Sequence, residues 1–344
     1  MNDPAPSSLP VAEEQPAPIA AAAPPEELEY QRAREAFLAP ERPGNGGLLL
    51  VGTLALFVLS ASREHNVRGL MVLVTVLLFH ELGHWAGMRL FGFQDVKMFF
   101  IPFFGAAVSG RNRGAESWKE ALVLLLGPVP GIILGCVVMG FSIATKSTLL
   151  GELGLMLLAI NGFNLLPMVP LDGGRLFQLL LFSRHRYLEL AFTLLTSLAL
   201  VGVALAMNAW LLAAVGLFNV MGLGRQARLL RQVHALRSAQ PEMSSEPSRL
   251  DDASTRALYH GALELVGTSG EHEAEAYKGR ARAMRELHQR VPQRPPSALA
   301  SVALSGLWLA AFVSLFIGLM MLAWAPKLGR PDSTPGTVSQ PETP

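Results

Sequence analysis

Seven stretches of this chain are apolar enough to leave the backbone almost no choice of structure: residues 47–61, 70–91, 121–145, 149–166, 187–207, 209–223 and 298–324. In hydrocarbon no water satisfies peptide N–H and C=O groups, so a lipid-exposed segment of this kind must be a helix that bonds to itself. Of the 344 residues, 51% are hydrophobic and only 16% are charged, a balance that excludes an ordinary water-soluble domain. The pattern predicts an all-α polytopic membrane protein with six to seven transmembrane helices. The count is open by one because 47–61 is short and the fifth and sixth runs are joined only around Asn208. The net charge of +1 says little about partners, since the charges are segregated along the chain, and no nucleic-acid-binding patch stands out.

The second run contains His80, Glu81 and His84. Each polar or ionisable side chain in hydrocarbon costs about 2.5 kcal/mol or more, so three within five residues need a compensating task. On a helix, positions i and i+4 share a face, and both imidazoles can reach one zinc ion with Glu81 beside them as a base. An HExxH pattern arises by accident in about 1% of chains of this length. The bland alternative is a span whose histidines bond to neighbouring helices. Two histidines lack a third protein ligand, and about ninety residues on the chain reads Asn164-Leu165-Leu166-Pro167-Met168-Val169-Pro170-Leu171-Asp172-Gly173-Gly174. The prolines break the helix there, and Asp172 can project from an irregular segment into a polar cavity. An aspartate in an ordinary turn remains the other reading.

HELGH in one span and NLLPMVPLDGG at the end of another closely resemble the site-2 protease family of intramembrane zinc metalloproteases, over roughly residues 47–224. The resemblance implies that His80, His84 and Asp172 bind zinc, that Glu81 activates water and that Asn164 places the substrate or its oxyanion. It further implies hydrolysis of a peptide bond within, or near the cytoplasmic edge of, a transmembrane segment of a membrane-protein substrate. A catalytically silent membrane scaffold or chaperone of the same fold is the alternative. A Gly-Pro landmark of the family that often leads into asparagine is here Gly127-Pro128-Val129-Pro130-Gly131, with glycine at the asparagine position. That departure leaves the zinc site intact and puts in doubt a substrate-positioning role for this helix.

Positive residues orient the bundle. Arg89, Lys97, Arg111, Arg113, Lys119, Arg184, Arg186, Arg225, Arg228 and Arg231 cluster on one side, which should be cytoplasmic. The other side carries Arg63, Arg68 and Lys146 in short loops, with Lys327 and Arg330 in the tail. The N-terminus and the active site then lie on, or in the half of the bilayer facing, the cytoplasm.

The remaining segments divide as follows. Residues 1–43 read as a disordered Pro/Ala-rich tail, although 26–38 could form a short helix. The protease core covers 44–224, a helical hairpin region 225–297, a last span 298–324 and a disordered tail 325–344. Within the core, 96–108 reads as a re-entrant or interfacial β-like hairpin, offering either an aromatic anchor or an edge for strand addition. Gly127, Gly131 and Gly135 are spaced for close helix packing. Helices at 251–266 and 271–291 should form a hairpin too small for a core of its own, docking on the membrane domain or on a cytoplasmic regulator. His260, His272 and His288 are expected to face solvent, and Cys136 to be a packing residue.

Overall fold

The computed structural model describes residues 24–39, 45–62, 66–101, 105–111, 116–183, 185–266 and 273–324. Helices α1 (Pro25–Leu38), α2 (Gly46–Ala61) and α3 (Val67–Leu90) lead into an antiparallel hairpin of β1 (Gln94–Ile101) and β2 (Gly105–Arg111). There follow α4 (Ser117–Leu126), α5 (Pro128–Thr145), α6 (Thr148–Leu165), the short α7 (Asp172–Phe177), α8 (Arg186–Ala206), α9 (Trp210–Ala239), α10 (Asp252–Val266), α11 (Glu273–Arg290) and α12 (Ala298–Trp324).

Among the described residues, α3, the Ser117–Thr145 run of α4 and α5, α6, α8 and α12 are long and apolar enough to cross a membrane, and α2 is a shorter apolar helix. Their outward side chains suit lipid rather than water: Leu48, Phe218, Met221 and Leu299 are each at least 70% exposed. The chain is thus a multi-pass membrane protein.

Local chemistry sets several helix ends. Asn66 caps α3 by accepting from the Gly69 N–H at 2.8 Å, and Asn45 does the same for α2 through Leu48 at 3.2 Å. The third apolar run begins earlier than expected, at Ser117, and divides at Gly127, because Pro128 supplies no N–H to the preceding turn and instead opens α5. The C-terminal carbonyl of Leu165, at the end of α6, accepts from the Trp308 indole at 2.9 Å, so α12 satisfies a group that the break at Pro167 leaves open. Around that contact α12 packs on α5 and α6 through Leu304, Ala311 and Leu315, and Cys136 faces the Ser314 carbonyl in the same interface.

The hairpin over β1 and β2 pairs Met98 with Val108 and Phe99 with Ala107. Phe100 is buried against Phe57 of α2, with ring centroids 5.3 Å apart, and its N–H donates to Thr53 Oγ1 at 2.9 Å. Pro102 lies outside the described residues.

Three expectations change outside the membrane core. Residues 25–38, within the stretch expected to be a disordered tail, form helix α1, the short helix allowed at 26–38, whose Tyr30, Ala33 and Phe37 fall at i, i+3 and i+7 and are buried. The boundary expected at 224/225 runs through the middle of α9, a single helix of 30 residues. The expected hairpin is present as α10 and α11, but it is half of a four-helix module. Its core joins Tyr30 and Phe37 of α1, Leu229 and Val233 of α9, Leu258 of α10 and Met284 and Leu287 of α11. A two-helix hairpin has no interior, and recruiting two more helices supplies one. His288 is accordingly buried rather than solvent-facing, bonded to the Ser244 carbonyl at 2.8 Å and edge-on to Phe37. His260 is exposed as expected, and His272 lies outside the described residues.

Candidate metal centre

Helix α3 presents His80, Glu81 and His84 to the protein interior, and all three are buried. Two glycines set how closely α3 meets its neighbours. A Cβ on Gly83 would run into the Leu126 carbonyl, and one on Gly127 would run into the His84 ring. The missing side chains therefore bring α3 against the α4–α5 junction with the imidazole of His84 lying over bare backbone.

Asp172 arrives from the far end of α6. The helix ends at Leu165, residues 166–171 are irregular, and Asp172 opens α7. The glycines after it permit that path: a Cβ on Gly173 would meet the Leu165 and Leu166 carbonyls, and one on Gly174 the Met168 backbone. The result brings His80 Nε2, His84 Nε2 and Asp172 Oδ2 together, with separations of 3.1 Å between the histidines, 3.1 Å from His84 to Asp172 and 3.2 Å from His80 to Asp172. Among the described residues this is the group of histidine, cysteine and acidic side chains able to hold a metal ion.

The hydrogen bonds behind the ligands show that the site fits zinc. His84 Nδ1 lies 2.8 Å from the Val123 carbonyl, which can only accept, so Nδ1 carries the proton and Nε2 the lone pair. His80 Nδ1 lies 2.8 Å from Asn161 Oδ1, and the Asn161 amide is turned that way because its Nδ2 donates to the Leu157 carbonyl at 2.7 Å. With both imidazoles neutral, three lone-pair-bearing atoms therefore converge, an arrangement that a bound cation satisfies. Zinc bonds of about 2.0–2.1 Å at tetrahedral angles put ligand atoms roughly 3.3 Å apart, close to the separations found here.

His80, His84, Asp172 and Glu81 open onto a cavity of about 970 Å³. Its wall includes Ala106, Ala107 and Val108 of β2, Phe57 and Ser60 of α2, and Asn208, Trp210 and Val215 around the α8–α9 turn. Glu81 faces the backbone of Val108. Asn164 also lines the cavity; its Nδ2 donates to the Ile160 carbonyl of its own helix at 3.1 Å, which leaves Oδ1 for another partner.

All five residues singled out from the sequence thus surround one space. Asn161 escaped that reading, although its signal was available: a carboxamide inside an apolar run, one turn before Asn164 on the same helix. Val123 could not have been found, because its contribution is a backbone carbonyl.

Residues 68–149 match the family model of peptidase family M50. A zinc metalloprotease of Methanocaldococcus jannaschii is 30% identical over 194 residues, covering 53% of this chain and 56% of its own length. Stage IV sporulation protein FB of Bacillus subtilis is 34% identical over 173 residues, 45% of this chain and 59% of that protein. The chain thus spans little more than half the length of the curated relatives it matches. These matches make the membrane core of this chain similar to peptidase family M50 and to a zinc metalloprotease, and the grouped His80, His84 and Asp172 fit that metal.

Proposed function

We propose that the protein is an intramembrane zinc endopeptidase that cuts a peptide bond in, or at the cytoplasmic edge of, a substrate's transmembrane helix. The observation that carries this reading is the convergence of His80, His84 and Asp172 on one point, with Glu81 beside them, in a cavity walled by apolar helices and one sheet strand. Zinc, when bound, lowers the pKa of a water to about 7 and polarises the scissile carbonyl. His80, His84 and Asp172 would hold it. Glu81 accepts a proton from the attacking water as the oxygen adds to the carbonyl carbon, then delivers that proton to the departing amine nitrogen as the C–N bond breaks. Asn164 Oδ1, on the cavity wall, orients the substrate backbone.

A helical substrate hides its carbonyls in its own hydrogen bonds and must unwind before it can react. The two-stranded sheet leaves β2 with one edge unpaired among the described residues, and Ala106–Val108 border the cavity. Strand addition to β2 would hold the unwound segment extended beside Glu81. The clustering of positive residues supports a cytoplasmic N-terminus and a site in the cytoplasmic half of the membrane.

The test compares membrane fractions from cells carrying the native protein with cells carrying Glu81→Gln, resolving fragments of single-span proteins. Accumulation of one or a few uncut membrane proteins only in the variant supports the proposal. Matching profiles, with an effect of deleting the whole gene, would point to a scaffold and overturn it.

A further inference from the structure

Asn161 does work that the hydrolytic scheme above has not used. It is fully buried and absent from the cavity wall, so it touches neither substrate nor reacting water. Its amide is spent on two bonds, to His80 Nδ1 and to the Leu157 carbonyl. A carboxamide held this deep among α3, α5 and α6 is costly unless every polar atom has a duty, and here the duty is to hold an imidazole.

The space for that amide is made by another helix. A Cβ built on Gly131 of α5 would fall among Asn161 Cγ, Nδ2 and Oδ1. Gly131 is itself buried, so the amide cannot swing aside into open space. Positions 131 and 161 therefore share one amide-sized volume beside His80, reached from α5 or from α6 but not from both. The same volume lies within hydrogen-bond reach of His80 Nδ1, since the amide now in it is 2.8 Å away.

We infer that Asn161 is the positioning residue that fixes His80 as an Nε2 ligand, and that Gly131 and Asn161 are an exchangeable pair in which either position, but only one at a time, can carry the amide. The inference rests on the zinc-site reading above. It explains how glycine at 131 is compatible with an intact metal centre: the carboxamide comes from the neighbouring helix instead.

The test measures zinc bound by the full-length protein in detergent micelles, equilibrated against chelator-buffered zinc, together with thermal melting of the metal-free form. Removing an outer partner of a metal-ligating histidine typically weakens metal binding by about 10–100-fold. Asn161→Leu is expected to lose affinity in that range. Asn161→Asp keeps an acceptor facing Nδ1 but sets a second acceptor against the Leu157 carbonyl, and should lose less than Asn161→Leu. Gly131→Asn alone should weaken binding because two amides compete for one space, and Gly131→Asn combined with Asn161→Gly should recover most of the loss.

Native affinity in the Asn161→Leu variant would overturn the inference. So would an Asn161→Asp variant as weak as Asn161→Leu, since the acceptor facing Nδ1 would then count for nothing, or a double variant no tighter than Gly131→Asn despite melting like the native metal-free protein. Absence of zinc binding by the native protein would instead sink the metal-site reading itself, so the two failures are distinguishable.

Discussion

Around His80 two imidazoles and a carboxylate turn towards one point; in the four-helix module of α1, α9, α10 and α11 two arginines turn towards backbone ends. At the metal centre two nitrogens and a carboxylate oxygen crowd one point, backed by Val123 and Asn161. In the module, Arg285 donates to the last carbonyls of α1, at Ala36, at Phe37 (3.3 Å) and at Ala39 (3.1 Å). Arg237 does the same at the end of α11, to Arg290 at 2.8 Å, Val291 at 3.0 Å and Gln293 at 2.5 Å. These two arginines satisfy orphan carbonyls where helices stop, and cations near helix C-termini also complement the macrodipole. One region concentrates lone pairs that need a cation to be stable, whereas the other already contains its own cations. Metal should therefore matter to the first and be nearly irrelevant to the second.

Chelating zinc, or replacing Asp172 with Ala, separates the two regions most sharply. Either should abolish peptide hydrolysis while hydrogen exchange in α1, α10 and α11 stays at its native level; wholesale loosening of the module would break the contrast. A smaller loss is expected for Glu81→Gln, about 10²–10⁴-fold in cleavage rate with zinc content unchanged, because only the base is removed. Metal analysis alongside a cleavage assay in micelles checks both halves, and loss of zinc would reassign Glu81.

Changes in the module should do the reverse. Arg285→Ala leaves the carbonyl end of α1 without its charged partner, at a cost of about 1.5–3 kcal/mol per hydrogen bond of this class. Faster amide exchange in α1 with native zinc content is the expected result, and native exchange rates would remove Arg285 from the account. The smallest effect is at Tyr30, whose hydroxyl donates to Asp252 at 2.7 Å. Burial, and then the Asp252 carboxylate, push its pKa up to about 12. A raised folded-state pKa means that the contribution is fully present below the ordinary tyrosine value of about 10 and is lost as pH rises through the folded value. Melting curves of native protein and Tyr30→Phe should thus differ by about 0.5–1.5 kcal/mol near neutrality and converge at high pH.

The same contrast explains what could be read in advance. HELGH is a local pattern: its i, i+4 geometry follows from a helix, and the helix follows from the apolar run around it. Asp172 was legible because prolines and glycines frame a lone carboxylate. The module was not, because α1 meets α10 and α11 across more than 200 residues, as in the Tyr30–Asp252 bond and the paired contacts of Arg256 with Glu27 at 2.9 and 3.0 Å. Nothing in residues 25–38 alone names those partners, and their proline-rich surroundings pointed towards disorder.

By itself the sequence determined the helical membrane architecture and the residue types able to bind metal, since apolar length and side-chain spacing act within a few turns of one chain segment. Only the tertiary structure decided which atoms stand behind the ligands: the Val123 carbonyl, the Asn161 amide, and the room left for them at Gly127 and Gly131. Those depend on how closely three helices approach, and that is a property of their packing together.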